Sequence, residues 1–262
     1  MHFLAAINWG FVASGFVVGS LVGLTGVGGG SLMTPVLILL FGVQPVAAVG
    51  TDLLYAAATK TAGSLMHGVN RTIEWKVVRR LALGSVPAAT LTLAILHGLG
   101  IESARANVLV SHVLAIALLI TAAALFFRKR LLAFYADRVG VLDGRRTRNF
   151  TILTGAILGV LVSSTSVGAG ALGVTALVIL YPELPVARLV GSDIAHAVPL
   201  TLVAGAGHWL LGNINPAMLG MLLMGSVPGI ILGSTLAPRI PEQTLRRLLA
   251  IVLLLAAVKL AL

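Results

Sequence analysis

The sequence predicts an all-α integral membrane protein built as an inverted-topology repeat. Hydrophobic residues make up 58% of the 262 residues and charged residues only 10%, and the mean hydropathy is +1.05. Soluble domains carry about 25% charged residues. The composition therefore places most of the chain in a lipid bilayer, and two further observations, an internal repeat and a charge asymmetry, indicate its organisation.

The two halves of the chain carry the same uncommon residues at a nearly fixed spacing. The segments 50–52 (Gly-Thr-Asp) and 84–87 (Gly-Ser-Val-Pro) and the residue His67 recur 141 residues later as 191–193 (Gly-Ser-Asp), 225–228 and His208. Further upstream, the Gly-rich run 25–30 matches 165–170 at an offset of 140. Because the chain contains only four Asp and six His, an Asp–His pair that recurs in register indicates a tandem repeat.

Each repeat is predicted to contain a broken-helix hairpin followed by three transmembrane helices. Apolar stretches long enough to cross a core of ~30 Å run over 46–66, 76–97, 105–127, 187–209, 216–236 and 246–262. The stretch 151–181 is too long for one span and too short for two. Small and polar residues at 163–170 interrupt it, which leaves arms of about 12 residues that suit a hairpin entering the membrane and returning. The matching stretch 11–41 is interrupted at 25–30.

An odd number of crossings per half predicts that the two halves have opposite orientations. The loop after His67 carries four basic residues, whereas its counterpart after His208 carries none. Cytoplasmic loops of membrane proteins carry an excess of Lys and Arg. We therefore predict a first transmembrane repeat at 1–127, a cytoplasmic linker at 128–149 and an inverted second repeat at 150–262. This placement also accounts for the net charge of +10, so we expect no nucleic-acid partner.

Inverted repeats are the architecture of secondary transporters, whose substrate sites form at broken helices near the bilayer midplane. Amides freed at such a break lie at the positive end of the following helix dipole and can bind an anion. The candidate anion-binding residues are Thr25, Gly28, Gly29, Gly30 and Ser31 in the first break and Thr165, Ser166, Gly168, Ala169 and Gly170 in the second. As an alternative, small residues at these positions only allow the two hairpins to pack closely.

Two aspartates lie inside predicted spans and are candidates for coupling or gating. Asp52 and Asp193 occupy equivalent positions about seven residues into their spans, ~10 Å deep at 1.5 Å per residue. Ionisable groups inside a membrane are costly and are functional by default. The aspartates have an alternative role at the start of their helices, where Thr51 or Ser192 would act as the cap.

Lys60 and His196 are further candidates for coupling or gating, and neither has an equivalent in the other repeat. Lys60 corresponds to Thr201. Its ammonium could be a counter-charge for the substrate or could extend to the membrane interface. His196 follows Asp193 by one helical turn and could pair with it.

The sequence contains no arrangement of residues typical of an enzyme. A His-Glu-x-x-His metal motif and a Gly-x-Ser-x-Gly nucleophile motif are both absent. The chain also has no cysteine. We therefore expect no catalytic residue, no metal site and no cofactor.

Several segments resemble a known family over residues 10–260. They are 26–30 with Pro35, 50–52, 165–170, 181–182, 190–197 and 225–229. Together they resemble the TauE/SafE sulfite exporter family. The resemblance implies a multi-pass permease of the cytoplasmic membrane that exports small sulfur-containing anions such as sulfite or organosulfonates.

The predicted function is therefore secondary transport of a small anionic substrate. A passive anion channel is one alternative, because it would use the same amides but need no coupling carboxylates. A membrane scaffold subunit for a partner enzyme is another alternative. The identity of the anion, a proton or sodium ion as the coupling ion, the direction of transport and a homo-oligomeric state stay open at this point.

Overall fold

The computed structural model describes residues 8–25, 30–98, 104–136, 143–236 and 242–261, and these residues form ten helices and no strand. The five helices of the first repeat are α1 (Trp9–Thr25), α2 (Gly30–Phe41), α3 (Pro45–Val69), α4 (Trp75–Gly98) and α5 (Ala104–Ala136). The five of the second repeat are α6 (Gly144–Thr165), α7 (Ala171–Leu180), α8 (Val186–Leu210), α9 (Pro216–Leu236) and α10 (Glu242–Ala261). The all-α fold is confirmed.

The helices of one repeat pack mainly against helices of the other. Helix α1 packs along α9, and its repeat equivalent α6 packs along α4. Helices α3 and α8, which are equivalent to each other, also pack together, and so do α5 and α10. Contacts whose partners exchange in this way are those of two-fold related halves. The repeat in the sequence therefore has a counterpart in the packing, while the orientation of the halves in a membrane remains a prediction.

Glycines at equivalent positions allow the closest helix contacts. A Cβ atom added at Gly84 in α4 would overlap the carbonyl oxygen of Ile152 in α6. A Cβ atom added at Gly225 in α9 would likewise overlap the carbonyl oxygen of Val12 in α1. Small residues let helix backbones approach in membranes, where packing rather than the hydrophobic effect drives association. Close packing thus explains why these two glycines recur.

Four helices of the described part are long and apolar enough to cross a membrane. The crossing segments are Trp75–Gly98, Arg105–Phe127, Val186–Leu210 and Pro216–Leu236. They coincide with four of the six predicted spans. The two other predicted spans, in α3 and α10, are not among these segments; α3 contains Asp52 and Lys60, and α10 carries charged residues at its start and Lys259 near its end.

The second broken hairpin has unequal arms. Helix α6 begins at Gly144, seven residues before the predicted start at 151, and has 22 residues, whereas α7 has 10. The prediction of two arms of about 12 residues is therefore wrong for the first arm. Its first turns carry three exposed arginines. Because arginine is a good helix former, the helix continues beyond the apolar stretch into the predicted linker.

Val69 and Leu210 test the inverted orientation, because they are repeat equivalents and both are highly exposed, at 79% and 86%. We expect Val69→Cys to react with an impermeant thiol reagent only from the cytoplasmic side and Leu210→Cys only from outside. The parent chain is a suitable background, since it has no cysteine. Labelling of both positions from the same side would rule out the inversion.

Candidate functional site

The second helix break is a buried loop of five residues, 166–170, between α6 and α7. Ser166 ends α6 in the left-handed region with φ 59°, and Gly168 and Gly170 have φ 121° and 126°. Only glycine adopts the latter values readily, so the backbone itself requires these glycines. An added Cβ atom at Gly168 would face Leu158 of α6 at 3.6 Å, an ordinary contact, so the space beside the residue does not by itself require glycine.

The break leaves backbone amides without partners at the start of α7. The first amide that is paired in the backbone is that of Gly173, which donates to the Gly168 carbonyl at 3.3 Å. Within the described chain, the amides of 168–172 form no hydrogen bond of regular geometry. Residues 168–171 are buried, and buried amides without partners are rare in proteins. At the positive end of α7, such amides form a site that can accept an anion.

The two predicted hydroxyl donors of the break differ in their contacts. The Thr165 hydroxyl donates to the Leu161 carbonyl at 2.6 Å and accepts from the Val167 amide at 3.1 Å. The Ser166 hydroxyl is buried and forms no hydrogen bond of regular geometry with the described residues, although it lies near the Asp52 carboxylate. The Thr165 hydroxyl is thus used within its own loop, whereas the Ser166 hydroxyl is directed out of it.

Lys60 reaches the second break from α3. Its Nζ atom donates to the Ala169 carbonyl at 3.1 Å, and only 5% of the residue is exposed. The side chain therefore does not extend to the membrane interface, which was one of its two predicted roles. Its charge also acts on the carboxylates of Asp52 and Asp193. In the described part of the chain it forms a direct ion pair with neither.

Asp193 lies against the start of α7. Its carboxylate is fully buried and packs on Gly173, where an added Cβ atom would overlap Oδ1. The carboxylate also faces the amide of Gly170. Neither carboxylate oxygen forms a hydrogen bond of regular geometry with the described residues. A buried carboxylate in this condition is costly, and such groups in membrane helices typically handle ions or substrates.

Asp52, the equivalent of Asp193, is hydrogen-bonded to the helix that follows the first break. Its Oδ2 atom accepts from the amide of Thr34 in α2 at 3.1 Å and from the Thr34 hydroxyl at 2.5 Å. The Ser166 hydroxyl of the second break also lies near this carboxylate. The alternative role predicted for Asp52 was to accept hydrogen bonds from backbone amides at the start of its own helix. It does accept from a backbone amide, but that amide belongs to α2. The same carboxylate lies between the two hairpins.

His196 does not pair with Asp193, so that prediction is wrong. The imidazole is directed at α4 instead, where its Nε2 atom lies 2.8 Å from the Ser85 hydroxyl. Its equivalent in the first repeat is Tyr55, whose hydroxyl donates to that of Ser226 at 2.8 Å. Ser85 and Ser226 are also repeat equivalents. The same contact between equivalent positions therefore occurs twice, once in each direction between the repeats. The two hydrogen bonds connect α8 to α4 and α3 to α9 close to the aspartates.

The first break is described only at its edges. Thr25 ends α1, and Gly30 and Ser31 begin α2. Gly28 and Gly29 lie outside the described residues, as do the side chains at these edges. The role of the first break in anion binding therefore stays a prediction.

Four residues of the site were not predicted from the sequence: Thr34, Tyr55, Ser85 and Gly173. The recurrence of Ser85 as Ser226 was a signal for that serine and for its partner. Thr34 and Gly173 had no such signal, because their contacts with the aspartates depend on how each short arm packs against the next span.

Comparison with known proteins identifies the family of the chain. The chain matches the family model "Sulfite exporter TauE/SafE" over residues 11–260. The probable membrane transporter protein YjnA of Bacillus subtilis (strain 168) is 37% identical over 250 residues, which cover 95% of this chain and 98% of that protein. A probable membrane transporter protein of Xylella fastidiosa (strain Temecula1 / ATCC 700964) is 27% identical over 252 residues, which cover 94% and 92%. No solved structure matches the chain. The chain is a multi-pass membrane transporter, not an enzyme, and belongs to the sulfite exporter TauE/SafE family.

Proposed function

We propose that this transporter exports a small sulfur-containing anion, such as sulfite or an organosulfonate, across the cytoplasmic membrane. The observation that carries the proposal is the run of amides at 168–172, which form no hydrogen bond of regular geometry and most of which are buried, in the loop that Lys60 contacts. Within this run the Gly170 amide faces the Asp193 carboxylate. An anion that enters the membrane must exchange its hydration for fixed donors, since an uncompensated buried charge is very costly. Amides at a helix N-terminus supply such donors. The name of the matched family supports the class of anion.

Lys60 favours an anion over a neutral substrate. Its ammonium contacts the same loop that holds the free amides, 3.1 Å from the Ala169 carbonyl. This buried cation would stabilise an anion bound there in addition to the two aspartates, whereas a neutral ligand would gain nothing from its charge. A site that combines a fixed cation with convergent amides therefore selects for negative charge.

Asp193 and a bound anion compete for the same donors. Two negative charges that lie close together in a medium of low dielectric constant repel each other strongly. Lys60 of α3 interacts electrostatically with Asp193 and also with Asp52 and His196. Binding of an anion next to Asp193 therefore favours the protonated carboxyl, so that anion and proton bind together.

Co-binding of a proton is compatible with export. A dianion with one proton carries a net charge of about −1, the sum of −2 and +1, and an inside-negative membrane potential drives this charge outward by ~2.3 kcal/mol per 100 mV. The membrane potential and the concentration gradient of the anion would then act in the same direction. Proton coupling by Asp193 does not require uptake of the anion.

Sulfite flux in proteoliposomes tests the proposed function. We expect sulfite to be transported, with thiosulfate and sulfoacetate as competitors, and the flux to rise when a proton gradient of the same direction is imposed. Sulfite flux that depends on membrane potential alone would indicate the passive anion channel. Absence of flux for every sulfur anion in a panel that also includes taurine and sulfate would refute the proposal.

Asp193→Asn keeps the size of the side chain and removes the group that can be protonated. We expect it to lower proton-driven sulfite flux by roughly tenfold or more, a typical size for a lost coupling, while exchange of sulfite at equal concentrations continues. The measurement is flux per folded protein in the presence and absence of the proton gradient. A variant with an unchanged response to the gradient would exclude Asp193 as the proton carrier.

Gly173→Ala and Gly220→Ala form a matched pair. A Cβ atom at residue 173 would overlap the Asp193 carboxylate, whereas a Cβ atom at residue 220 would meet nothing within 4 Å. Both residues lie in helices, where replacing Gly by Ala stabilises the helix by about 1 kcal/mol. We expect Gly173→Ala to lower sulfite flux strongly and Gly220→Ala to leave it unchanged. Equal flux in the two variants would contradict the position of Asp193 against α7.

A further inference from the structure

The end of α7 borders a polar cavity that is separate from the helix break. The cavity has a volume of about 330 Å³ and lies where the starts of α4 and α6 meet the residues that follow α7. Its polar lining consists of Glu74, Lys76, Arg80, Thr147, Tyr181 and Glu183. The break and the cavity lie at opposite ends of α7, which separates them by ~15 Å at 1.5 Å per residue.

Arg80 is held in the cavity wall by a chain of hydroxyl groups. Its Nη1 atom donates to the Tyr181 hydroxyl at 3.0 Å, and that hydroxyl lies 2.9 Å from the Thr151 hydroxyl. Within the described residues the guanidinium has no carboxylate partner. A guanidinium has five N–H donors in a planar fork, so most of its donors are available for an oxyanion.

The same positions at the other end of the molecule are apolar. The repeat equivalents of Thr151 and Tyr181, 140 residues earlier, are Phe11 and Phe41. The two phenylalanine rings contact each other with their centroids 4.5 Å apart. Thr151 and Tyr181 therefore meet through their hydroxyl groups, whereas their equivalents Phe11 and Phe41 meet through their aromatic rings.

The basic residues of the cavity are likewise confined to one end. Arg80 and Lys76 correspond to Met221 and Ala217 in the second repeat. Because the equivalent positions of the same packing arrangement hold methionine and alanine, the fold itself does not require cations there. Helix packing therefore does not explain why position 80 is an arginine that is hydrogen-bonded to Tyr181.

The acidic residues at the cavity do not cancel its positive charge. The Glu74 carboxylate lies 3.8 Å from the guanidinium of Arg188, which neutralises it. Glu183 is exposed at the rim. With Arg188 included, three cations face two carboxylates, so the region keeps a formal charge of +1.

We propose that this cavity is a receiving site for the transported anion, in which Arg80 and Lys76 bind a small oxyanion before it moves along α7 to the helix break. This inference rests on the proposed function. Sulfite and sulfonates present several oxygens to which a guanidinium can donate two parallel hydrogen bonds. By the distribution of Lys and Arg, the cavity faces the cytoplasm. The receiving site therefore collects the anion on the side from which export begins.

Arg80→Gln tests the receiving site, and Arg79→Gln is its matched control. Arg79 is the neighbouring residue in sequence, but it is exposed and does not line the cavity. Both variants remove one positive charge, and only Arg80→Gln removes it from the cavity. The half-saturating sulfite concentration is measured in inside-out and right-side-out vesicles. We expect Arg80→Gln to raise it by roughly tenfold at the cytoplasmic face, the effect of losing one charge-assisted pair, with little change at the other face. Arg79→Gln should behave as the parent protein.

Tyr181→Phe provides a second variant in case Arg80→Gln does not fold. It keeps the ring and removes the hydroxyl that holds Arg80, so we expect a smaller change with the same sidedness. Equal effects of Arg80→Gln and Arg79→Gln, or equal effects at both faces, would overturn the receiving site while leaving the transport function intact. A parent protein that moves no sulfur anion would instead refute the proposed function, and the receiving site with it.

Discussion

The need to satisfy backbone polar groups inside a membrane governs the arrangement of this protein. Irregular backbone is tolerated at that depth only where it is buried in protein or lines a cavity. The second break interrupts a helix through three residues with positive φ, Ser166, Gly168 and Gly170, and it leaves buried amides at the start of α7. The charged residues of the interior are arranged around this loop. Lys60 binds its carbonyl, Asp193 packs beside its amides and Asp52 lies near its serine.

The repeat supplies a common framework, and the differences between its halves supply the chemistry. Equivalent glycines produce equivalent close helix contacts, and Tyr55 and His196 make the same interhelical bond with the halves exchanged. Lys60 has no basic equivalent, so the central cation reaches the second break from one repeat only. The two ends of the molecule also differ, since hydroxyl groups and Arg80 line one end where aromatic rings fill the other. The framework is thus symmetric, whereas the residues that line its two ends are not.

Much of the fold followed from sequence patterns, but the partners of individual side chains did not. Apolar length predicted the crossing helices, and clustered small residues predicted the break, because both signals are local in the chain. The helix start at Gly144 was missed, since the apolar stretch ends before the helix does. The partner of His196 and the carboxylate contact of Gly173 depend on which helix packs alongside. Position 168 requires glycine because its φ is 121°, a value that other residues rarely adopt. The sequence alone does not reveal this conformation.

A structure of the protein with a bound oxyanion tests the central claim most directly. Selenite is a suitable probe, because it has the shape and charge of sulfite and its selenium atom can be located by anomalous scattering. The account predicts selenium density at the second break, with selenite oxygens within hydrogen-bond distance of the amides of 168–172 and near the ammonium of Lys60. Selenite bound elsewhere in the membrane interior, with those amides and Lys60 uninvolved, would contradict it.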